Sequence, residues 1–272
     1  MTPFRGDLVR VSAQLAVRLE APGGRPGRVH SVFARAVNLV WDDGRLWALH
    51  GPGPLLAPFA AAVDDVALLG TLRSGMPVIV GPLRLRAPGL ALSWERAARI
   101  DCAVSADPRV PVPAVLLPPA PPRGHAPGLD SAAGAGARAA LAAGIGRRDA
   151  SRLIAGACAL LGLGEGLTPA GDDCLVGALA VLHAVDPAPL AREPAVARAI
   201  AEAAKARTTA IGREFVLHAL AGRFSEPVLA VLRARSRTES ERTTARLAAL
   251  GATSGADTLA GMRLAWDALA AA

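Results

Sequence analysis

A proline-dense segment in the middle of the chain limits what can form on either side of it. Residues 106–137 are rich first in proline and then in glycine and alanine. Proline lacks an amide hydrogen and fits neither a helix interior nor a central strand, so this composition predicts a semi-extended linker. The 272-residue chain is therefore expected to fold as two parts, residues 1–105 and residues 138–272.

The first part, residues 1–105, has the pattern of a β-rich domain. Apolar runs at 29–40 and 45–50 flank the turn sequence at 42–44, Asp-Asp-Gly, and an Asp-Gly pair between apolar runs favours a β-hairpin. Further short apolar runs follow, separated at short intervals by glycine and proline. The pattern predicts a small sheet or barrel.

The second part, residues 138–272, has helical periodicity. Leu153, Ala157, Leu160 and Leu161 recur at the spacing of one helix face, and similar stripes continue to the end of the sequence. We expect about six or seven helices, enough for a bundle of their own. The predicted fold class is α+β, with an N-terminal β-rich domain followed by a C-terminal α-helical bundle domain.

Charge and composition argue against two classes of partner. The formal net charge is +7, but the arginines are scattered and aromatic residues make up only 3% of the chain, whereas nucleic-acid binding favours basic faces interleaved with aromatics. No uncharged apolar run reaches the ~18 residues of a membrane span, and the N-terminus lacks the apolar core of a signal peptide. The three cysteines have no metal-binding spacing. We therefore expect a cytoplasmic protein that binds neither nucleic acid nor membranes.

One short element occurs twice in the helical part. Residues 171–177 read GDDCLVG and residues 255–261 read GADTLAG, so both follow the pattern G-x-D-x-L-x-G. A Gly-x-Thr sequence precedes each copy, at residues 166–168 and 251–253. Each copy predicts a glycine-rich loop that leads into a helix.

A helix N-terminus of this kind can bind an anion. Its first amide groups are unpaired and its dipole end is positive, so phosphate or carboxylate binds there. The alternative is that an aspartate simply caps its own helix. Gly177 and Gly261 lie further into the two helices, where glycine costs about 1 kcal/mol relative to alanine, and both therefore predict close helix contacts. If the two helices contact each other, the two loops meet at one site.

Electrostatics limits which aspartates can face a ligand. Asp172, Asp173 and Asp257 cannot all point at a bare phosphate, because two like charges about 4 Å apart repel by about 4 kcal/mol at an effective dielectric constant of about 20. Either some of them cap helices and face away, or Mg²⁺ lies between the carboxylates and the ligand, with Asp173 and Asp257 as its ligands. We expect capping for one aspartate and ligand or metal contact for another.

The candidate site combines residues from both copies. The three aspartates are the candidate catalytic residues. Thr208 and Thr209 open a further helix, where they form either an N-cap or a third hydroxyl edge of the same pocket. The candidate substrate-binding residues of the helical part are Gly164, Gly166, Thr168, Gly171, Thr208, Thr209, Thr253, Ser254 and Gly255.

Residues 162–177, GLGEGLTPAGDDCLVG, resemble the signature of the AllH family, typically GLGPGLTPSGDDFLVG. This chain departs from that signature at Glu165, Ala170 and Cys174, and a substrate that needs the serine hydroxyl would lose that contact at Ala170. The resemblance extends to residues 35–39, 207–209, 219, 222–224 and 251–261. The first of these segments adds Asn38 to the candidate substrate-binding residues.

The resemblance implies a function. AllH proteins are linked to the oxamate carbamoyltransferase of allantoin breakdown, where they act with two other subunits. In that reaction, oxalurate and phosphate give oxamate and carbamoyl phosphate. The resemblance therefore implies that this chain is one subunit of a carbamoyltransferase, which is a transferase. The implied partners are the two other subunits, a small anionic substrate and phosphate. No cofactor other than Mg²⁺ is expected. Two alternatives stay open: a non-catalytic assembly or regulatory subunit whose loops are structural helix caps, and a stand-alone enzyme of phosphate esters or nucleotides.

Overall fold

The computed structural model has two compact units, residues 1–102 and residues 103–272. It describes residues 4–21, 23–53, 56–104, 127–187, 190 and 193–272. The first unit is built of strands and the second of helices, which confirms the predicted α+β fold class.

Eight strands of the first unit close into a β-barrel. Around the barrel the order is β1-β5-β4-β3-β2-β6-β7-β8, and the β1–β5 pairing joins the ends. A ninth strand, β9, pairs with the second half of β1, beyond the half that pairs with β8. The strands are β1 (Phe4–Ser12), β2 (Arg25–Val32), β3 (Ala36–Trp41), β4 (Leu46–His50), β5 (Ala60–Val63), β6 (Pro77–Gly81), β7 (Arg84–Ala87), β8 (Leu90–Ser93) and β9 (Ala98–Ile100).

The predicted hairpin around residues 42–44 is present, with one difference. Strands β3 and β4 pair antiparallel across that turn, but the apolar run at 29–40 forms two strands rather than one. The chain reverses between them at residues 33–35, where the Phe33 amide donates to the Ala36 carbonyl oxygen at 2.8 Å. Reversal at this point brings two apolar stretches into the same barrel wall, so both contribute side chains to the core that contains Leu39 and Trp47.

The second unit is a helical bundle arranged around one buried helix. Every residue from 170 to 182 is buried, all of them on α5, so this helix is surrounded by the others. The helices are α2 (Pro127–Asp130), α3 (Ala132–Gly146), α4 (Ala150–Leu160), α5 (Ala170–Val185), α6 (Pro194–Arg207), α7 (Ala210–Leu220), α8 (Glu226–Leu232), α9 (Arg237–Ala248) and α10 (Ser254–Ala270), after the short helix α1 (Ala13–Leu19) of the barrel unit.

The helical region begins earlier than the sequence predicted. Helices α2 and α3 lie partly within the predicted linker, 106–137, and Ser131 caps α3 by accepting from the Gly134 amide at 3.0 Å. Gly134, one of the glycines that argued against a helix here, has a packing role, because a side chain there would overlap the carbonyl oxygens of Gly128 and Leu129 in α2. Further along the chain, a side chain at Gly144 of α3 would overlap α4, and one at Gly156 of α4 would overlap α3. The part of the predicted linker at residues 106–126 lies outside the described residues.

No helix in the described part of the chain is both long and apolar enough to cross a membrane. The expected cytoplasmic location and the expected lack of nucleic-acid binding remain predictions from the sequence.

Candidate functional site

The two repeated elements meet where α5 crosses α10. A β-carbon added to Gly177 on α5 would overlap the carbonyl oxygen of Thr258, and one added to Gly261 on α10 would overlap that of Cys174. Each glycine therefore lets the backbone of the other helix approach. The prediction that these two glycines mark a contact of their helices with each other is confirmed.

The loops before the two helices also meet. The Thr168 hydroxyl of the first loop and the Ser254 hydroxyl at the start of α10 are hydrogen-bonded at 2.9 Å. Both residues are half-buried, whereas Leu167 beside them is 53% exposed. The hydroxyl pair therefore lies between solvent and the buried first turns of the two helices.

Asp172 holds the first loop in place. Its Oδ1 accepts from the Gly162 amide at 2.8 Å, and its Oδ2 accepts from the Thr208 hydroxyl. Gly162 has φ +73 and packs against the Arg207 carbonyl oxygen, which leaves no room for a side chain. Burial raises the pKa of Asp172, while the bonds from Thr208 and Gly162 lower it. Asp172 is thus engaged with the protein through both oxygens, and we interpret it as a positioning residue.

We expect Thr208→Val to destabilise the protein by about 1–3 kcal/mol, because it leaves a buried carboxylate oxygen of Asp172 without its donor. Thr244→Val is the matched control. The Thr244 hydroxyl is buried and makes no hydrogen bond to any described residue, so its loss should be neutral or stabilising. Chemical denaturation of the two variants measures both effects. Equal destabilisation by both would show that the Thr208–Asp172 bond contributes nothing.

Asp173 differs from Asp172 in its surroundings. It is 7% exposed, and its Oδ2 has no hydrogen-bond partner among the described residues. Burial raises the pKa of this carboxyl well above its usual range. The Ser254 and Thr168 hydroxyls lower that pKa, and the nearby Asp257 and Asp172 carboxylates raise it. Asp173 is therefore a buried carboxyl with capacity for one more partner.

Asp257 faces Asp173 from the other helix. It is completely buried, at 0% exposed, in the first turn of α10. Its charge raises the pKa of Asp173 and contributes to the raised pKa of the neighbouring Cys174 thiol, which burial brings to about 12. The corresponding aspartates of the two copies are thus both buried and close enough for their charges to interact, near a thiol that stays protonated.

The expectation that the first amides of both helices are unpaired is wrong in part. The Gly171 and Gly255 amides donate to carbonyl oxygens of the preceding loops, those of residues 163 and 250. The Asp172 amide donates to the carbonyl oxygen of residue 169, and the bonds from the Asp173 and Asp257 amides to residues 169 and 253 are the regular first bonds of their helices. Anion binding at the two helix ends remains a prediction.

The expectation that one aspartate caps its own helix is also wrong. The N-cap residues are Pro169 for α5 and Thr253 for α10, and neither helix has a side-chain cap. Because Asp172 lies within the first turn of α5, its carboxylate reaches the preceding loop instead of its own N-terminus. Carboxylates in a first turn still interact favourably with the helix dipole.

Thr209 has the N-cap role, one of the two alternatives that the sequence left open. Its hydroxyl oxygen caps α7 by accepting from the Gly212 amide at 2.9 Å, and the hydroxyl donates to the Leu167 carbonyl oxygen at 2.5 Å. Thr208 donates to Asp172, which in turn accepts from the Gly162 amide, so both threonines help to fix the position of the first loop. Their assignment to substrate binding remains a prediction.

The other candidate residues divide between loop geometry and the barrel. Gly164 and Gly166 have positive φ in the first loop, and Gly171 and Gly255 pack directly against the carbonyl oxygens of Leu160 and Leu247. Asn38 lies in β3 of the barrel unit, where its amide donates to the Ser31 hydroxyl at 3.1 Å. Whether any of these five contacts substrate remains a prediction.

At the predicted Mg²⁺ site, the described residues do not supply three ionisable side chains that could act as metal ligands. Within residues that the structure describes, no cluster of three or more histidine, cysteine, aspartate or glutamate side chains is arranged to hold a metal ion. Asp173 and Asp257 alone would supply two carboxylates, and hydroxyl oxygens would have to complete the coordination. Magnesium binding therefore remains a prediction.

Sequence reasoning missed Arg138. Its positive charge lies close enough to Cys174 to lower the pKa of that thiol, and its Nε is buried without a hydrogen-bond partner in the described parts of the chain. Arg138 is the one charged residue in α3. A single charged residue in an alanine- and glycine-rich helix is the sequence feature that could have identified Arg138.

Comparison with known protein families gives two matches. The family described as oxamate carbamoyltransferase subunit AllH matches residues 160–266, and the AllH family N-terminal domain matches residues 7–100. The first match contains both repeated elements, and the second contains nearly all of the barrel. No curated protein and no solved structure matches the chain.

Proposed function

Because the chain belongs to the AllH family, whose description is a subunit of oxamate carbamoyltransferase, we propose that its helical unit supplies a substrate site to such a complex. The site is the crossing of α5 and α10, and it holds the carbamoyl end of a small anionic substrate. One observation carries this proposal: the buried Asp173 carboxyl has an oxygen without a partner among the described residues, beside the Thr168–Ser254 hydroxyl pair.

The chemistry of the site favours an amide group over a bare phosphate. The Gly171 and Gly255 amides at the two helix ends already donate to carbonyl oxygens of the preceding loops, and two buried carboxyls, Asp173 and Asp257, would repel a phosphate dianion. A carbamoyl group offers N–H donors and a carbonyl acceptor. These match carboxyl oxygens and hydroxyls, which together accept and donate hydrogen bonds.

In the proposed reaction, a phosphate oxygen attacks the carbamoyl carbon of oxalurate. The bond from that carbon to the oxamate nitrogen breaks, and the nitrogen takes up a proton as oxamate leaves. The products are carbamoyl phosphate and oxamate, and no redox step is involved. Two demands fall on the site: stabilisation of the carbonyl oxygen as negative charge develops, and a proton for the leaving nitrogen.

Asp173 suits the second demand. Its raised pKa keeps a proton on the carboxyl at a higher pH than an exposed aspartate would, and Asp257 contributes by disfavouring a second charge nearby. The Thr168 and Ser254 hydroxyls suit the stabilisation of the carbonyl oxygen, because hydroxyls can donate hydrogen bonds to developing negative charge. They lie on the solvent side of the carboxyls. Phosphate would reach the carbon from that side, away from the buried acids.

Turnover of the assembled complex tests this assignment. We expect Asp173→Asn to lower release of carbamoyl phosphate from oxalurate and phosphate by about 100-fold or more, as loss of a general acid does. Asp257→Asn should lower it less. Asp267→Asn, an exposed position on the same helix, is the matched control and should retain full turnover. The assignment is wrong if the Asp173 and Asp257 variants both turn over at the control rate.

A non-catalytic assembly or regulatory role is the alternative. It is favoured by how many polar groups of the loops are used internally, such as both oxygens of Asp172. The partner subunits assembled without this chain decide between the two. Unchanged turnover without it would establish the alternative, whereas loss of turnover in both the depleted complex and the Asp173→Asn complex supports a catalytic site.

A further inference from the structure

The outer wall of the barrel carries a trough that the function above does not use. The cavity is about 730 Å³, within the range of small-molecule sites. It lies over β8, with β1 on one side and β7 on the other. A barrel's outer wall is convex, so side chains must form the trough: β8 presents the short Ala91 and Ser93, and longer residues rise from both neighbours.

Two arginines flank the floor at one level of the trough. Ala91 is paired with Arg5 of β1 on one side and with Arg86 of β7 on the other. Since neighbouring strands lie about 4.8 Å apart, the two arginine backbones are about 10 Å apart across the trough. Both arginines are exposed, and neither forms an ion pair with another described residue. Two guanidinium groups at this spacing can close on one carboxylate between them.

The next level of the trough is acidic on one side. Ser93 lies two residues beyond Ala91 on β8, a distance of about 6.7 Å along the strand. It is paired with Asp7 of β1 on one side and with Arg84 of β7 on the other. Arg84 faces Glu95 at 3.9 Å. Asp64 also lines the cavity and accepts from the Asp7 amide at 3.3 Å. The trough therefore has a cationic end and, on the β1 side, an acidic end.

We propose that this trough binds a small molecule that carries a carboxylate at one end and N–H donors, as an amine or amide, at the other. Arg5 and Arg86 hold the carboxylate, and Asp7 accepts from the N–H end. A dianion with a second negative group at the far end is disfavoured, because that group would face Asp7 and Asp64. The short side chains of Ala91 and Ser93 leave space on the floor of the trough for the ligand.

Ligand-observed NMR on the full chain tests the proposal with 5-aminovalerate and valerate, which differ only in the amino group. We expect 5-aminovalerate to bind at least about 5-fold more tightly than valerate, since one added charge-assisted hydrogen bond to Asp7 has about this effect. Arg86→Gln should weaken both ligands by about 10-fold. Asp7→Asn should bring 5-aminovalerate to the level of valerate and leave valerate unchanged.

Two further variants separate a site from general surface charge. Ala91→Leu keeps the charge but fills the floor, so it should abolish binding of both compounds. Arg28→Gln removes an exposed arginine of β2 outside the trough lining and should change nothing. The proposal is overturned if the wild type binds neither compound, if Arg86→Gln binds both as well as the wild type, or if Arg28→Gln weakens them equally.

Discussion

Asp173→Asn is expected to make the protein more stable at pH 8, by about 1–3 kcal/mol, while it lowers turnover of the complex by about 100-fold or more. In the wild type this position holds a buried carboxyl, with Asp257 opposite it and one oxygen unpartnered among the described residues. Asparagine has almost the same shape and no charge. Its uncharged amide is not repelled by the Asp257 carboxylate, so the cost of a second buried charge is removed. Stability lost to function is common at active sites.

The gain should depend on pH, with a sign that follows from linkage. The pKa of Asp173 is higher in the folded protein than the usual 3.8 of the unfolded chain. Between these two pKa values the folded state binds more protons, so the free energy of unfolding falls as pH rises. Asparagine does not titrate. The two proteins should therefore have similar stability near pH 4, and the advantage of the variant should grow toward pH 8.

Urea unfolding at pH 4, 6 and 8 measures the effect, with Asp267→Asn on α10 as the control for loss of an exposed carboxylate. The control should follow the wild type across this range. A variant that is less stable than the wild type at pH 8 would contradict the expectation, because it would mean that the ionised carboxylate has a partner that stabilises it.

The convergence of the two loops could be predicted from the sequence, but the role of each aspartate could not. Gly177 and Gly261 occupy equal places in two copies of one pattern, and a glycine inside a helix indicates close approach of another backbone. The aspartates occupy equal places as well, at 173 and 257, and both are buried. Asp172 has no counterpart in the second copy, where Ala256 stands, and it is the one that holds the loop.

The bonding of the helix-end amides and the start of the helical region could not be predicted, for related reasons. The Gly171 and Gly255 amides have partners because the loops fold back over the helix ends, a path that depends on φ at glycines such as Gly162 and cannot be read from composition. Gly134 of α3 was interpreted as part of a linker signal. It packs against the carbonyl oxygens of Gly128 and Leu129 instead, so its low helix propensity is offset by packing that only the tertiary structure reveals.

Gly261→Ala should be strongly destabilising, with a loss of about 3 kcal/mol in the free energy of unfolding. The added methyl group would overlap the Cys174 carbonyl oxygen, which is backbone and cannot rotate away. Helices α5 and α10 would have to separate, and that shift moves Asp257 away from Asp173. We therefore expect turnover of the complex to fall together with stability.

Gly136→Ala is the matched control, because Gly136 lies in α3 with open space where the methyl group would point. Alanine there should stabilise by about 1 kcal/mol through helix propensity. Gly177→Ala, made alone and with Gly261→Ala, tests whether the two glycines act at one contact. Helices already forced apart by one methyl group should lose less to the second, so the double variant should be more stable than additivity predicts. Fully additive losses would show two independent sites of strain, and the crossing would then not act as a single contact that aligns the two aspartates.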